Sequence, residues 1–409
     1  MTDSHRPFLP RATPLFRVAP GAVQVGGSDG DPGVRVGPVD PAASGALVAL
    51  LRGLDGARST GAVLAEAVAG GLDPDLVAEL LESLRRCGRL LHVSAADLLA
   101  AAPTPAARAR AELELPAVLG AGGPGAWRLR RAAAVVVDGA TRVGVPLAAM
   151  LAASGVGRVH VRDRGTVTAA DAVVGGLTAA DEGRPRALAA ADAVRRVAPE
   201  TDLRPLPPGT EPDLLVLARP WAALDPVLTR VPGGRTPHLV ATVRGEVGVV
   251  GPLVVPGRTG CLRCGEVTRT AAEPGWPVLA AQLHEAPAPR SGPPTGHASG
   301  GTGVCSATAV TALTQALAHL DGLAAPTCLD AVLELRGPDL LPVRRAWPAH
   351  PSCGCRATQG AGRGTQVAGR DPAHGAVPGA VPGAALGAGE RPPPGPSRRG
   401  GHGPGTLER

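Results

Sequence analysis

Lysine, asparagine, isoleucine and tyrosine do not occur in this 409-residue chain, and there are only two phenylalanines and four tryptophans. Without lysine, no Schiff base can form on a side-chain amine and no Walker lysine can grip a phosphate. Any cation at an active site must be an arginine or a metal ion. With so few aromatics there is no basic platform on which bases would stack, and the net charge of +6 is spread as arginines among acids. Nucleic acid is therefore not expected as a partner. The N-terminal stretch lacks the apolar core of a signal peptide. No run reaches the roughly 20 apolar residues that a membrane span needs, so no membrane association is expected. Seven cysteines, with two close pairs among them, fit a reducing cytoplasm and a metal rather than disulfides. The missing residue types themselves match the codon bias of a GC-rich genome and carry no functional meaning.

What is present is apolar, 44% by count and mostly Ala, Val and Leu, enough for two compact domains and a further segment. Residues 1–20 read as a loose, proline-containing arm. Residues 21–100 read as a small α+β domain. Val23-Gln24-Val25 and Val34-Arg35-Val36 flank a Gly/Asp turn and predict a hairpin. Asp40-Pro41, Ser59-Thr60 and Asp73-Pro74 each begin a helix, the last with Leu76, Leu80, Leu81 and Leu84 inward and Gly88 as its stop. Arg89 to Val93 then reads as a strand, completing a winged-helix-like plan. Residues 101–128, rich in Ala and Pro, read as a linker, and 129–355 as the main domain. Residues 356–409 hold almost no large apolar side chains and are expected to be disordered.

The main domain opens on a nucleotide-fold pattern. Ala132 to Val137 is a continuous apolar run of the kind a buried parallel strand shows. Asp138 to Gly144 forms a glycine-containing turn, a helix follows from Val145 to Ser154, and a second strand, Val159-His160-Val161, ends at Asp163. In that logic Gly139 and Gly144 allow the tight turn, the helix N-terminus faces phosphate, and Asp163 can bind ribose hydroxyls. The motif departs from G-x-G-x-x-G at Thr141, whose Cβ keeps phosphate farther from the backbone. By itself the pattern fits either nucleotide binding or a turn that only packs. Cys261-x-x-Cys264 and Cys353-x-Cys355 present two thiolates each, a set suited to one tetrahedral structural zinc, with two redox pairs as the alternative. Cys87 and Cys328 lie in apolar runs and are expected in the core, as is Cys305 just inside a predicted helix. His284, Glu285 and His297, in or beside a Gly/Pro-rich stretch, make a weaker second metal candidate.

Gly139-Ala140-Thr141-Arg142-Val143-Gly144, Ala153-Ser154-Gly155-Val156-Gly157, Val161-Arg162-Asp163 and Gly183-Arg184-Pro185-Arg186-Ala187 occur in that order. Gly260-Cys261-Leu262-Arg263-Cys264, a long helix near 304–321 and His350-Pro351-Ser352-Cys353-Gly354-Cys355 follow. The series resembles the ThiF/MoeB/HesA family, relatives of ubiquitin-activating enzymes. The resemblance implies a Rossmann-like α/β domain with structural zinc. It also implies an ATP- and Mg2+-dependent adenylyltransferase that activates the carboxylate of a small ubiquitin-like protein or peptide. Carried over by residue, Gly139 and Gly144 match the phosphate turn, Asp163 the ribose acid, and Arg186 the place of a phosphate-side lysine. Val174 stands where the family has a phosphate-binding arginine, Pro220 falls near its magnesium-holding aspartate, and Ser299 falls near its thioester cysteine. Arg219 or Arg184 could compensate. The stretch Leu50 to Gly56 with its flanking helices resembles the PqqD-like domain, which binds leader peptides by strand addition; a helical packing domain or a DNA-binding winged helix are its alternatives. The pairing of the two resembles partner proteins of azoline-forming cyclodehydratases. It implies a precursor peptide, a cyclodehydratase subunit and a homodimer as possible partners, with a non-catalytic scaffold as the alternative to an enzyme.

Overall fold

The computed structural model describes residues 6–27, 33–37, 40–97, 104–122, 125–224, 236–285, 300–322 and 325–355. Strands β2 (Leu15–Ala19), β3 (Ala22–Val25) and β4 (Val34–Val36) form one antiparallel sheet, with Val23 opposite both Arg17 and Val36. Helices α1 (Pro41–Arg52), α2 (Thr60–Ala69) and α3 (Pro74–Arg86) follow and begin at the expected caps. Ser59 Oγ accepts from the Ala62 amide and Asp73 Oδ1 from the Asp75 amide, which satisfies N-terminal donors that the helix itself cannot. Leu47, Leu50, Leu51, Val63, Val77, Leu80 and Leu84 close the core of this region against β3 and β4.

Two stretches differ from the sequence expectation. The arm is not loose: β1 (Arg6–Phe8) pairs antiparallel with β5 (Leu91–Val93), and β2 lies within 15–20. The linker is helical: α4 (Pro105–Gly122) and α5 (Ala126–Ala132) occupy most of it. Ala107, Ala111, Leu115, Val118 and Leu119 recur at three- and four-residue spacing and are buried, with Trp127, against Phe8 and Val93. Two of its five residues are alanine, a strong helix former with little hydrophobic contrast, so the segment reads as low complexity. The tail, 356–409, lies outside the described residues, as do His297 and Ser299.

The main sheet has seven strands in the order β12-β11-β10-β9-β8-β6-β7. Strands β6 (Ala134–Asp138), β7 (Arg158–Arg162), β8 (Leu214–Leu217) and β9 (His238–Arg244) run parallel. Strands β10 (Val247–Val254), β11 (Ala331–Leu335) and β12 (Pro342–Ala346) continue antiparallel. Helices α6 (Gly144–Ala153), α7 (Arg186–Val197) and α10 (Thr302–Asp321) belong to one hydrophobic layer with the sheet. Helix α6 is apolar all round because it is buried all round. A second apolar cluster joins Val136, Leu215, Leu217, Val240 and Val254 to α8 (Leu262–Ala272) and the paired cysteines. A last helix, α9, spans Trp276–Glu285. Among the described residues, no helix is long and apolar enough to cross a membrane.

Candidate functional site

Strand β6 sits between β7 and β8, so the chain leaves it in opposite directions on its two sides. In an open α/β sheet the crevice at such a reversal, beyond the carboxyl ends of the strands, is where ligands bind. An open cleft of ≈ 760 Å3 lies there, walled by Asp138, Arg162, Asp163, Arg164 and Arg219. Of the four residues expected to hold a nucleotide, only Asp163 lines it. Asp163 also staples the turn: Oδ2 accepts from the Ala140 amide at 2.9 Å and Oδ1 from the Gly165 amide at 2.8 Å. Asp138 is clamped between Arg162 Nε at 3.1 Å and Arg219 Nη2 at 2.7 Å. Both carboxylates in the cleft are thus already engaged by the protein.

Gly139 and Gly144 shape the turn by packing. Gly139 has φ +118°, and a Cβ there would fall 2.6 Å from Arg219 Cγ. A Cβ on Gly144 would fall 2.1 Å from the Gly139 carbonyl oxygen. Thr141 is buried, donates to the Ala218 carbonyl at 3.2 Å and accepts from the Gly144 amide at 3.0 Å. The Val145 amide is bonded to the Thr141 carbonyl, and position 146 is proline with no N–H. The first turn of α6 is therefore capped from within, and its amides point at protein rather than at phosphate.

Arg186 takes a different place. It does not reach the cleft but lies beneath the turn, 1% exposed. Its Nε donates to the Thr166 carbonyl at 2.8 Å, Nη1 to the Ala140 carbonyl at 3.2 Å, and Nη2 to Asp171 Oδ2. Each of its three guanidinium nitrogens thus donates to the protein. Val174, in the place of the family's arginine, is 78% exposed. Arg184 pairs with Asp181 and Asp192 instead of facing the cleft.

The cysteine pairs do converge. The four Sγ atoms lie within 4.8 Å of one another and all four residues are buried. The Sγ separations are 3.5 Å for Cys261–Cys353, 3.5 Å for Cys264–Cys355 and 3.8 Å for Cys261–Cys264. Disulfides, at about 2.0 Å, are ruled out. Four thiolates about 2.3 Å from a tetrahedral ion would stand about 3.8 Å apart, which these separations match. Cys261 caps α8 and Cys264 sits in its first turn, while the left-handed Gly354 (φ 69°) turns the chain between Cys353 and Cys355. Burial pushes the Cys261 thiol up, and burial together with the neighbouring thiols pushes Cys353 up, whereas against its own desolvation Cys264 is pulled down by hydrogen bonds from His350 and its neighbours. Four buried sulfurs at this spacing would suit a divalent cation such as zinc. His350 stays outside the set; its Nδ1 accepts from the Ser352 amide.

Cys305 and Cys328 are buried, as expected, but Cys87 is exposed. The α3 helix stops at Arg86 and Gly88 (φ 71°) turns the chain away, so Cys87 never joins the stripe that ends at Leu84. Sequence reasoning missed Arg162 and Arg164 as cleft residues. Strand periodicity does not show that two side chains at the end of β7 turn toward the crevice.

A family model described as "ThiF family" matches residues 115–230. No curated protein matches in sequence. Among solved structures, the chain is similar to E. coli MccB with ATP, at 15% identity over 86% of this chain and 99% of that one, with a TM-score of 0.53. The microcin C7 biosynthetic enzyme MccB in complex with N-formylated MccA gives the same figures. A heterocyclase in complex with substrate and cofactor is similar at 16% identity, covering 85% of this chain and 39% of that one, with a TM-score of 0.50. At such identities the likeness is one of fold: the chain carries a ThiF-family fold.

Proposed function

We propose that this protein uses its ThiF-family fold as a non-catalytic scaffold, which binds a precursor peptide and presents it to a peptide-modifying partner such as a cyclodehydratase. The observation that carries this reading is the internal satisfaction of the phosphate turn. Thr141 caps α6, Arg186 is consumed beneath the turn, and Asp138 is neutralised by two arginines. Adenylyl transfer builds charge on a pentacoordinate phosphorus and needs donors or cations aimed at it. Here Val174 and Pro220 replace two such groups.

Residues 21–100 serve as a winged-helix-like, PqqD-like reader of the peptide. Among the described residues, strands β2 and β4 are the edges of their sheet, and β2 exposes Phe16 and Val18. An extended peptide adding a strand there would gain main-chain hydrogen bonds and apolar side-chain contact. The similarity to structures that hold the peptide MccA, or a heterocyclase substrate, supports a peptide as ligand. A structural zinc at Cys261, Cys264, Cys353 and Cys355 closes the main domain, with no open coordination position for catalysis.

A second reading, an ATP- and Mg2+-dependent adenylyltransferase acting on a small ubiquitin-like protein or peptide, is favoured by one observation: the open cleft with Asp163 on its wall. Pyrophosphate–ATP exchange, measured on the zinc-loaded full chain with and without a candidate precursor peptide, separates the two. The scaffold reading expects peptide binding without nucleotide and no exchange at millimolar ATP. Exchange that disappears in Asp163→Ala would establish the enzyme instead.

A further inference from the structure

On the other face of the sheet, residues of α8 and of β9 to β12 line a cavity of ≈ 230 Å3. Its floor is apolar, with Val240, Val249 and Val332, and Trp347 closes one end. Trp347 is held by its Nε1–H donating to the Cys261 carbonyl at 3.1 Å, and it lies against Gly265, where a Cβ would fall 2.0 Å from the indole. Three cations and two anions also line the cavity. Both anions are taken. Glu266 accepts from Arg269 at 3.2 Å and from Trp276 Nε1 at 2.7 Å, and Glu334 accepts from Arg345 at 3.1 Å.

The third cation, Arg244, has no such partner. It ends β9, and the two-residue period of a strand turns it to the same face as Val240. Its guanidinium lies 4.6 Å from the centroid of the Trp221 ring. Among the described residues it makes no ion pair or hydrogen bond, and its buried Nε–H is unsatisfied. Burial, and then the charge of Arg269, pull its pKa down to about 10 against the opposing charges of Glu266 and Glu334, so it is still cationic at neutral pH. Stacking on an indole face offsets part of that desolvation but leaves the fork of donors open. A charge held this way is costly without a counter-ion.

We propose that this cavity binds a carboxylate group carried on a short apolar or aromatic stem, with the Arg244 guanidinium as its counter-ion. Three guanidiniums against two carboxylates leave the lining with one net positive charge, which matches a monoanion better than a phosphate dianion. The volume lies below the roughly 300 Å3 at which small-molecule pockets usually begin, so it takes an end group rather than a nucleotide. The apolar floor and Trp347 receive the stem. The site is separate from the cleft at Asp163 and stands whether or not that cleft binds nucleotide.

The probe is hippurate, a carboxylate on a glycyl arm with a phenyl ring. Hippuramide, its uncharged counterpart, and inorganic phosphate serve as controls, each titrated calorimetrically into the zinc-loaded full chain. Hippurate is expected to bind at least about tenfold more tightly than hippuramide, the worth of a charge-assisted hydrogen bond, and more tightly than phosphate. Arg244→Gln should remove that advantage. Arg244→Lys, which keeps the charge and guards against a folding defect, should retain part of it. Equal binding of hippurate and hippuramide, stronger binding of phosphate, no binding of either organic probe, or hippurate affinity unchanged in Arg244→Gln would each overturn the proposal.

Discussion

Replacing Arg186 by methionine tests whether this side chain is a strut or a ligand. The guanidinium and its partner Asp171 are 2% and 0% exposed, so the pair is removed from solvent. Asp171 Oδ2 also accepts from the Thr168 amide at 2.7 Å and from its hydroxyl at 2.8 Å, which hold it in place whatever happens to Arg186. Asp171 Oδ1 already has no partner. Arg186→Met therefore leaves a buried carboxylate with two hydrogen bonds and no counter-charge. Breaking a buried pair on one side costs about 3–5 kcal/mol, and two backbone carbonyls, Ala140 and Thr166, lose a donor as well. The double variant with Asp171→Asn removes the stranded charge and should recover about 2 kcal/mol relative to the sum of the single changes. Urea unfolding of the four proteins, with unchanged m values, measures both quantities. A single-variant loss within about 1 kcal/mol, with additive effects, would refute the strut. If nucleotide binding disappeared at the same time, Arg186 would be a phosphate ligand after all.

Two further outcomes follow from the buried groups. Elemental analysis should find one zinc per chain, and a strong chelator or Cys264→Ser should release it and lower the thermal midpoint. Metal binding in small zinc domains is worth on the order of 10 kcal/mol, and an unchanged midpoint after metal loss would count against a structural role. His238 lies at the start of β9, and burial holds its pKa below the usual 6.5, against a hydrogen bond to the Thr236 carbonyl that raises it. A depressed base binds fewer protons folded than unfolded, so its contribution is complete above pH 6.5 and lost as pH falls from there toward the folded value. The midpoint should drop across that window, and His238→Leu should show a shallower drop; identical slopes would exclude His238 as the cause.

Much of the molecule was legible in the order of its residues. An apolar run marked β6, because a strand covered on both faces has no polar positions to spare. Caps and prolines placed the starts of α1 to α3, because unsatisfied amides select those residues locally. The two cysteine pairs announced a common partner, since thiols so spaced serve one ion, although only the fold brings residues 261 and 353 within 3.5 Å. The arm and the linker misled, since a three-residue strand and an alanine-rich helix carry little contrast until a neighbour covers them. Which way a long cation points was not legible at all. Arg186 and Arg219 look alike in the chain, yet one is locked beneath the turn and the other clamps Asp138 at the cleft. Arg244 is unremarkable in sequence and comes to line a cavity, stacked on Trp221, only once β9 and α8 are packed. Hydrophobic periodicity and capping act within a few residues and are written locally, whereas charge pairing depends on distance in space, which only the packed sheet and helices set.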